Sequence, residues 1–128
     1  MLETVSTENA PAAIGPYAQG VRAGDFLFTS GQIALDPKSG ELIGTDITAQ
    51  TEQVMKNLCA ILAGGNSEPA LVIKTTCYLS DMADFAAFNA VYSKYITSAA
   101  RSCVAVKSLP RGALVEVDAI ARIKEHSK

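Results

Sequence analysis

The chain has 128 residues, of which 48% are hydrophobic and 19% charged, with a net charge of −2. This length and composition predict one globular domain over residues 1–128, in which the charge balance disfavours a non-specific nucleic-acid binder. No apolar run approaches the roughly 18 residues of a membrane span, and the acidic N-terminus is unlike a signal peptide, so we expect a cytoplasmic protein without a membrane partner.

Turn residues and hydrophobic periodicity divide the chain into elements, with residues 1–18 predicted to be irregular. The predicted elements are, in chain order, a hairpin of residues 19–22 and 26–30, a short strand at 41–43, a helix capped by Asp46 and ended by Gly64-Gly65-Asn66, a strand at 71–79, a helix capped by Asp81, and strands at 102–106 and 114–123. This order predicts an α+β fold with two helices on one face of a mostly antiparallel sheet. No third layer is left to cover the other face, so we expect closed oligomerisation through the sheet.

Charged residues within the last two predicted strands are the main chemical signal. If the turn between these strands is symmetric about Leu109-Pro110, Arg101 faces Asp118 and Cys103 faces Glu116, all on one face. One interpretation is a solvated Arg–acid pair, which would contribute little to stability. The other is an anion site, in which the guanidinium binds a substrate carboxylate and Glu116 activates water for hydrolysis.

Cysteine and histidine usage excludes several other chemistries. The three cysteines, Cys59, Cys77 and Cys103, are widely spaced and odd in number, which is typical of a reducing compartment. The only histidine is His126, in a polar tail, where it cannot anchor a zinc site or a catalytic triad. No dinucleotide or P-loop motif occurs, so hydride-transfer, phosphoryl-transfer and zinc chemistry are all disfavoured.

Two further segments have both a structural and a functional interpretation. Tyr17 follows Gly15-Pro16 and is either a packing residue or part of a site. Gly31 follows Ser30 at a predicted strand end, where glycine allows a close approach of the backbone or simply forms a turn.

Four segments together resemble the Rid family, also called the YjgF family, of reactive intermediate deaminases. They are ENAPAAIGPYAQG at 8–20, TSGQI at 29–33, KTTCYLSDMADFAAFNAVY at 74–92, and ARSCVAV followed by LPRGALVEVDAIA within 100–121. The resemblance covers nearly the whole chain. One departure lies before Arg101, where the usual longer loop ending in aromatic-Pro-Ala is replaced by residues 95–100.

The resemblance implies a chorismate-mutase-like (bacillus-type) fold, with a sheet packed on two helices. It also implies a homotrimer around a central barrel of sheets, with three clefts between subunits. Members hydrolyse 2-imino and 2-aminoacrylate-type intermediates, such as 2-iminopropanoate and 2-iminobutanoate, to 2-keto acids and ammonia without a cofactor. The substrate partner would therefore be a small imino acid, with a 2-keto acid as product.

The resemblance also implies roles for individual residues. Arg101 would bind the substrate carboxylate, Glu116 would orient or activate water, Tyr17 would close the cleft, and the main-chain N–H of Cys103 would help to hold the carboxylate. Ser30 and Gly31 would line the pocket, and Asn89 matches a helix position that is commonly Asn. Two alternatives remain open: a non-catalytic trimer that binds a 2-keto acid or another small ligand, and an endoribonuclease or translation inhibitor.

Overall fold

The structure, a computed structural model, describes residues 2–124, so His126 lies outside the described residues. The strands are β1 (Leu2–Val5), β2 (Gly20–Ala23), β3 (Phe26–Thr29), β4 (Val72–Leu79), β5 (Ala100–Ala105) and β6 (Val115–Arg122). The α-helices are α1 (Ile47–Gly64) and α2 (Phe85–Tyr92). In this part of the chain, neither helix is long and apolar enough to cross a membrane.

The six strands form one sheet in the order β1-β2-β3-β6-β4-β5. Only the β4–β5 pair is parallel, which confirms the predicted mostly antiparallel sheet and the α+β class. The predicted hairpin forms β2 and β3, with Gly24 at φ +59° in the turn, a conformation that glycine adopts easily. The prediction of an irregular N-terminus is confirmed for residues 6–18 but was wrong for residues 2–5, because Leu2–Val5 pairs with β2 as an edge strand. The strand expected at 41–43 is reduced to a single bridge between Leu35 and Leu42.

Helix α1 begins and ends where the sequence predicts. The Asp46 carboxylate accepts a hydrogen bond from the Ala49 N–H at 2.8 Å, and so satisfies a backbone donor of the first turn. At the other end, the Gly65 N–H donates to the Ile61 carbonyl at 2.9 Å, and Asn66 follows with φ 63°. The buried face includes Val54, Leu58, Ile61 and Leu62 at helical spacing.

Helix α2 is reached through a short 3₁₀ turn at Met82–Asp84. Asp81 accepts from the Ala83 N–H at 2.9 Å, so its predicted capping role falls on this turn instead of on the helix itself. Phe88 is fully buried. The Tyr92 hydroxyl lies 2.7 Å from the Thr75 hydroxyl, which fixes α2 to β4.

The register predicted for the last two strands was wrong. Strand β4 lies between β5 and β6: Thr75 pairs with Arg101 on one side and with Ala119 on the other. The connection between β5 and β6 is not a hairpin but passes over the end of β4, where the Val106 N–H donates to the Leu79 carbonyl. It spans two strand spacings, about 10 Å. Arg101 therefore faces neither Asp118 nor Glu116.

The two faces of the sheet differ sharply. The helices cover the face that carries Val115, Val117 and the alternate residues that follow them in β6. No element of the described chain covers the opposite face, where Phe28 and Val104 are 43% and 47% exposed. Glu116 and Asp118 also lie on this open face, because they alternate with the buried residues of β6.

Candidate functional site

Glu116 is held against the backbone of Gly31. Gln32 forms an isolated bridge with Val117, in which the Gln32 N–H donates to the Val117 carbonyl at 2.9 Å and the Val117 N–H donates back at 3.1 Å. This bridge places Gly31 beside the Glu116 side chain. A Cβ atom at residue 31 would overlap the carboxylate, with Cδ of Glu116 only 2.8 Å away. Glycine at this position therefore leaves room for the Glu116 carboxylate, and its φ angle is not the reason for it.

A cavity of about 130 Å³ opens beside this pair. Its polar lining includes Glu116, and its apolar wall is formed mainly by the N-terminal loop and the segment after β3. Its other lining residues include Pro11, Ile14, Tyr17, Leu35 and Arg111. Tyr17 is half exposed, and its hydroxyl accepts a long hydrogen bond of 3.4 Å from the Ile14 N–H. Tyr17 thus lies at the mouth of the cavity, where a closing role is sterically feasible.

Gln19 holds the N-terminal loop that forms this wall. Its side chain is buried, accepts from the Thr7 N–H at 2.7 Å and donates to the Pro11 carbonyl at 2.8 Å. Sequence reasoning missed this residue, because its position in the sequence does not distinguish it from an exposed glutamine at a strand end. Ser30 has a related role, because its hydroxyl donates to the Ala18 carbonyl at 2.6 Å. Ser30 therefore stabilises the loop and is not among the residues that line the cavity.

The environment of Glu116 favours its protonated form. Burial raises the pKa of Glu116 above its ordinary value, and the nearby Asp118 carboxylate raises this pKa further. Burial also raises the pKa of Asp118, while Lys74 opposes that shift. A carboxyl group whose pKa is displaced towards neutrality can exchange a proton with a reacting molecule more readily than an ordinary exposed carboxylate.

Arg101 lies in a second group of residues, on the helix side of the sheet. Its Nη1 donates to Oδ1 of Asn89 at 2.6 Å. Its guanidinium carbon lies 5.0 Å from the ring centre of Tyr92 and 5.5 Å from that of Phe85, distances typical of cation–π contacts. No ion pair to Arg101 occurs within residues 2–124. The contacts orient the guanidinium and leave it free to bind an anion.

The cysteines are poorly suited to nucleophilic chemistry. Burial raises the pKa of the Cys103 thiol despite the nearby Arg101, and it raises the pKa of Cys77 to about 12. Burial also raises the pKa of Cys59. These thiols are therefore neutral near pH 7. Across residues 2–124, no three His, Cys, Asp or Glu side chains come close enough together to hold a metal ion.

The residues predicted for the site fall into two separate groups in one chain. Tyr17, Gly31 and Glu116 line the cavity at the end of β3. Arg101 and Cys103 lie on the helix-covered face of the edge strand β5, next to Asn89 of α2. The sheet separates the two groups, because Glu116 points from its open face. The single cluster predicted from strand register therefore does not exist within one chain.

A family model described as Endoribonuclease L-PSP matches residues 7–123. A RutC family protein of Pyrococcus horikoshii is 50% identical, over 94% of this chain and 98% of that relative. A Salmonella typhimurium protein named 2-iminobutanoate/2-iminopropanoate deaminase is 44% identical, over 94% of this chain and 98% of its own. The crystal structure of Escherichia coli TdcF with bound serine has a TM-score of 0.90 and 39% identity, covering 94% of this chain and 98% of that one.

Proposed function

The chain belongs to the Endoribonuclease L-PSP family, which is the Rid or YjgF family, and we propose that it hydrolyses 2-imino acids to 2-keto acids and ammonia. The expected substrates are 2-iminopropanoate and 2-iminobutanoate, the compounds in the name of a relative of 44% identity over nearly its full length. The observation that carries the proposal is the Glu116 carboxyl of raised pKa, held beside Gly31 in a small cavity.

The proposed reaction needs positioning and proton transfer only. Arg101 binds the substrate carboxylate through two N–H groups of its planar guanidinium, assisted by the main-chain N–H of Cys103. Glu116 takes a proton from water as the oxygen attacks the imine carbon, and returns it to the nitrogen. The hydroxyl of the resulting carbinolamine then gives its proton to the nitrogen, again through Glu116, as the carbon–nitrogen bond breaks, which releases ammonia and leaves the 2-keto acid. Tyr17 closes the cleft over the substrate.

We propose that each cleft is formed by two copies of the chain in a homotrimer. Arg101 and Glu116 point to opposite sides of one sheet, so they can act on the same substrate only if they come from different copies. The open face of the sheet, with half-exposed residues such as Phe28 and Val104, would form the central barrel. Burial of this face would also remove apolar side chains from water.

A coupled assay tests the proposal. An amino-acid oxidase generates 2-iminopropanoate from alanine, and the loss of the imine is followed with and without the protein. We expect acceleration by the wild type, and a fall of about a hundredfold or more for Glu116→Gln, because the variant cannot accept the proton from water. Glu68→Gln, at an exposed acid that pairs with Lys124 beyond the other end of β6, is the matched control and should match the wild type. No acceleration by the wild type refutes the proposal.

Two other functions make different predictions in the same experiments. A binding protein would bind a 2-keto acid equally well in Glu116→Gln and accelerate no imine hydrolysis. Serine bound to the similar TdcF structure makes a small amino-acid ligand relevant to this alternative. An endoribonuclease, as the family description states, would cleave RNA when highly purified and lose that activity in Arg101→Ala.

A further inference from the structure

Arg111 has an unusual backbone conformation at the turn before β6. Its φ and ψ are 61° and 17°, in the left-handed region that side-chain-bearing residues rarely occupy, and Gly112 follows with φ 68°. Glycine would adopt this conformation without strain. An arginine at such a position suggests that its side chain is needed there, since strained backbone is often found at functional sites.

The Arg111 guanidinium has no carboxylate partner in the described part of the chain. Within residues 2–124, its one hydrogen bond is a long contact of 3.4 Å from Nη2 to the Gly40 carbonyl. The ion pairs among residues 2–124 involve other cations, namely Arg22, Lys94 and Lys124. Arg111 is thus a permanent positive charge with most of its donors unused.

Arg111 lines two adjoining cavities. One is the cavity of about 130 Å³ that contains Glu116, and the other, of about 180 Å³, lies on its outer side. Pro11, Ile14 and Leu35 line both cavities and form an apolar wall between Glu116 and the outer space.

The outer cavity also has a positive character. Lys38 contributes a second cation there, beside the acid Asp36. The Asp36 carboxylate is already engaged in its own loop, because it accepts hydrogen bonds from the Ser39 N–H at 2.8 Å and the Lys38 N–H at 3.1 Å. An anion that reached this space would therefore meet two cations and a carboxylate that is held by its own loop.

We propose that Arg111 forms an anion subsite of the cleft, which receives the side-chain carboxylate of a 2-imino dicarboxylic acid. This inference rests on the proposed function, since it takes the reacting carbon to lie at Glu116. From that point, the methylene groups of the substrate side chain follow the wall of Pro11, Ile14 and Leu35, and the terminal carboxylate pairs with the guanidinium. Arg111 is then a residue that determines specificity and has no part in the chemical step.

The test compares two product-like ligands of equal carbon number. 2-Oxoglutarate ends in a carboxylate, whereas 2-oxopentanoate ends in a methyl group. The difference between their affinities therefore measures the contribution of the terminal carboxylate at the subsite. Affinities are measured by calorimetry for the wild type, Arg111→Gly and Lys38→Gln. The glycine variant removes the guanidinium and retains the left-handed backbone without strain, and Lys38→Gln removes one positive charge outside the Glu116 cavity.

We expect Arg111→Gly to weaken 2-oxoglutarate binding about tenfold or more, equivalent to about 1.4 kcal/mol. Binding of 2-oxopentanoate by Arg111→Gly should change less than about twofold, and Lys38→Gln should affect both ligands less than Arg111→Gly affects 2-oxoglutarate. Equal weakening of both ligands by Arg111→Gly, no weakening of either, or no 2-oxoglutarate binding by the wild type would each overturn the subsite.

Imine hydrolysis is measured separately, so the two proposals can fail independently. A wild type that binds 2-oxoglutarate through Arg111 but hydrolyses no imine would keep the subsite and refute the deaminase. A wild type that hydrolyses 2-iminopropanoate but shows no Arg111-dependent preference would keep the deaminase and refute the subsite.

Discussion

Two inactive variants of the protein should restore activity when they are combined in one oligomer. Arg101→Ala removes the proposed carboxylate-binding group, and Glu116→Gln removes the proposed base. Because these residues lie on opposite sides of the sheet, each proposed cleft takes Arg101 from one copy and Glu116 from the next. A cleft between a Glu116→Gln chain and an Arg101→Ala chain, in the right order, then contains both wild-type groups.

The expected magnitude follows from the geometry of a cyclic trimer. In a random equal mixture, the chance that a cleft receives a wild-type Arg101 is one half, and the chance that it receives a wild-type Glu116 is also one half. About one quarter of all clefts should therefore be intact, and the mixture should show about 25% of the wild-type rate. If a single chain formed each cleft, no cleft would contain both groups and the mixture would be inactive.

The assay uses chains that carry two different affinity tags and are produced together in one cell. Mixed oligomers are isolated on both tags in turn and tested for hydrolysis of 2-iminopropanoate. This isolation removes the two pure trimers, in which no cleft is intact, so each remaining trimer has one intact cleft in three and should show about 33% of the wild-type rate. The control combines Arg101→Ala with a chain that carries both substitutions, since such a mixture has no wild-type Arg101 at any cleft. Activity of the mixed oligomer that does not exceed that of its parents refutes the two-copy cleft, as does a fully active monomer in sedimentation.

Three further substitutions test individual parts of the site. Gly31→Ala should lower kcat/KM about tenfold or more with little loss of stability, because the new Cβ displaces the flexible Glu116 carboxylate; unchanged kinetics would contradict this close approach. Cys103→Ser should retain most of the activity, because the thiol is neutral and only the main-chain N–H is used; a loss as large as that of Arg101→Ala would show a role for sulfur. Asp118→Asn should move the acidic limb of the pH–kcat/KM profile to lower pH, because Asp118 raises the pKa of Glu116. The same variant should be more stable than the wild type at neutral pH, because an acid of raised folded pKa destabilises the fold above that pKa; urea unfolding at pH 4 and pH 7 measures the difference.

Local signals in the sequence predicted the elements whose ends are fixed by local chemistry. Asp46 caps the start of helix α1 and Gly65 caps its end, and both residues form hydrogen bonds with residues within one turn. The local sequence therefore contains all the information that is needed to place the two helix ends. The hairpin at Gly24 is equally local. Strand β1 has no such signal, because Leu2–Val5 is a short edge strand whose only sheet partner among residues 2–124, β2, lies more than a dozen residues along the chain.

The error in the register of Arg101 has a different cause. A turn of residues 107–112 can join adjacent strands, but the same segment can also pass over one intervening strand. Which of these occurs depends on whether β4 pairs with both partners, as Cys77 does with Cys103 and Val117. The sequence of the turn does not reveal which strands pair in this non-local way. Strand geometry placed Arg101 and Glu116 on one face, whereas the structure places them on opposite faces, and the roles that the family resemblance implies for them stay predictions.

Arg111 and Gln19 show a second limit of reading the sequence. Both residues occur within segments that were already singled out, yet neither has a distinctive sequence spacing. Gln19 is recognisable only from its burial and from its bonds to Thr7 and Pro11. Arg111 is recognisable only from its left-handed backbone and from its place on the cavity wall.

The separation of Arg101 from Glu116 within one chain is itself chemically useful. Had the two side chains been neighbours on one face, they would have formed an ion pair, which lowers the pKa of the acid and occupies the guanidinium. In the observed arrangement, Arg101 is oriented by the neutral amide of Asn89 and by aromatic rings, so its charge is not compensated. Glu116 keeps a raised pKa through burial and the neighbouring Asp118. A substrate that bridges the two copies would then supply the carboxylate that Arg101 lacks and the electrophilic carbon on which Glu116 can act.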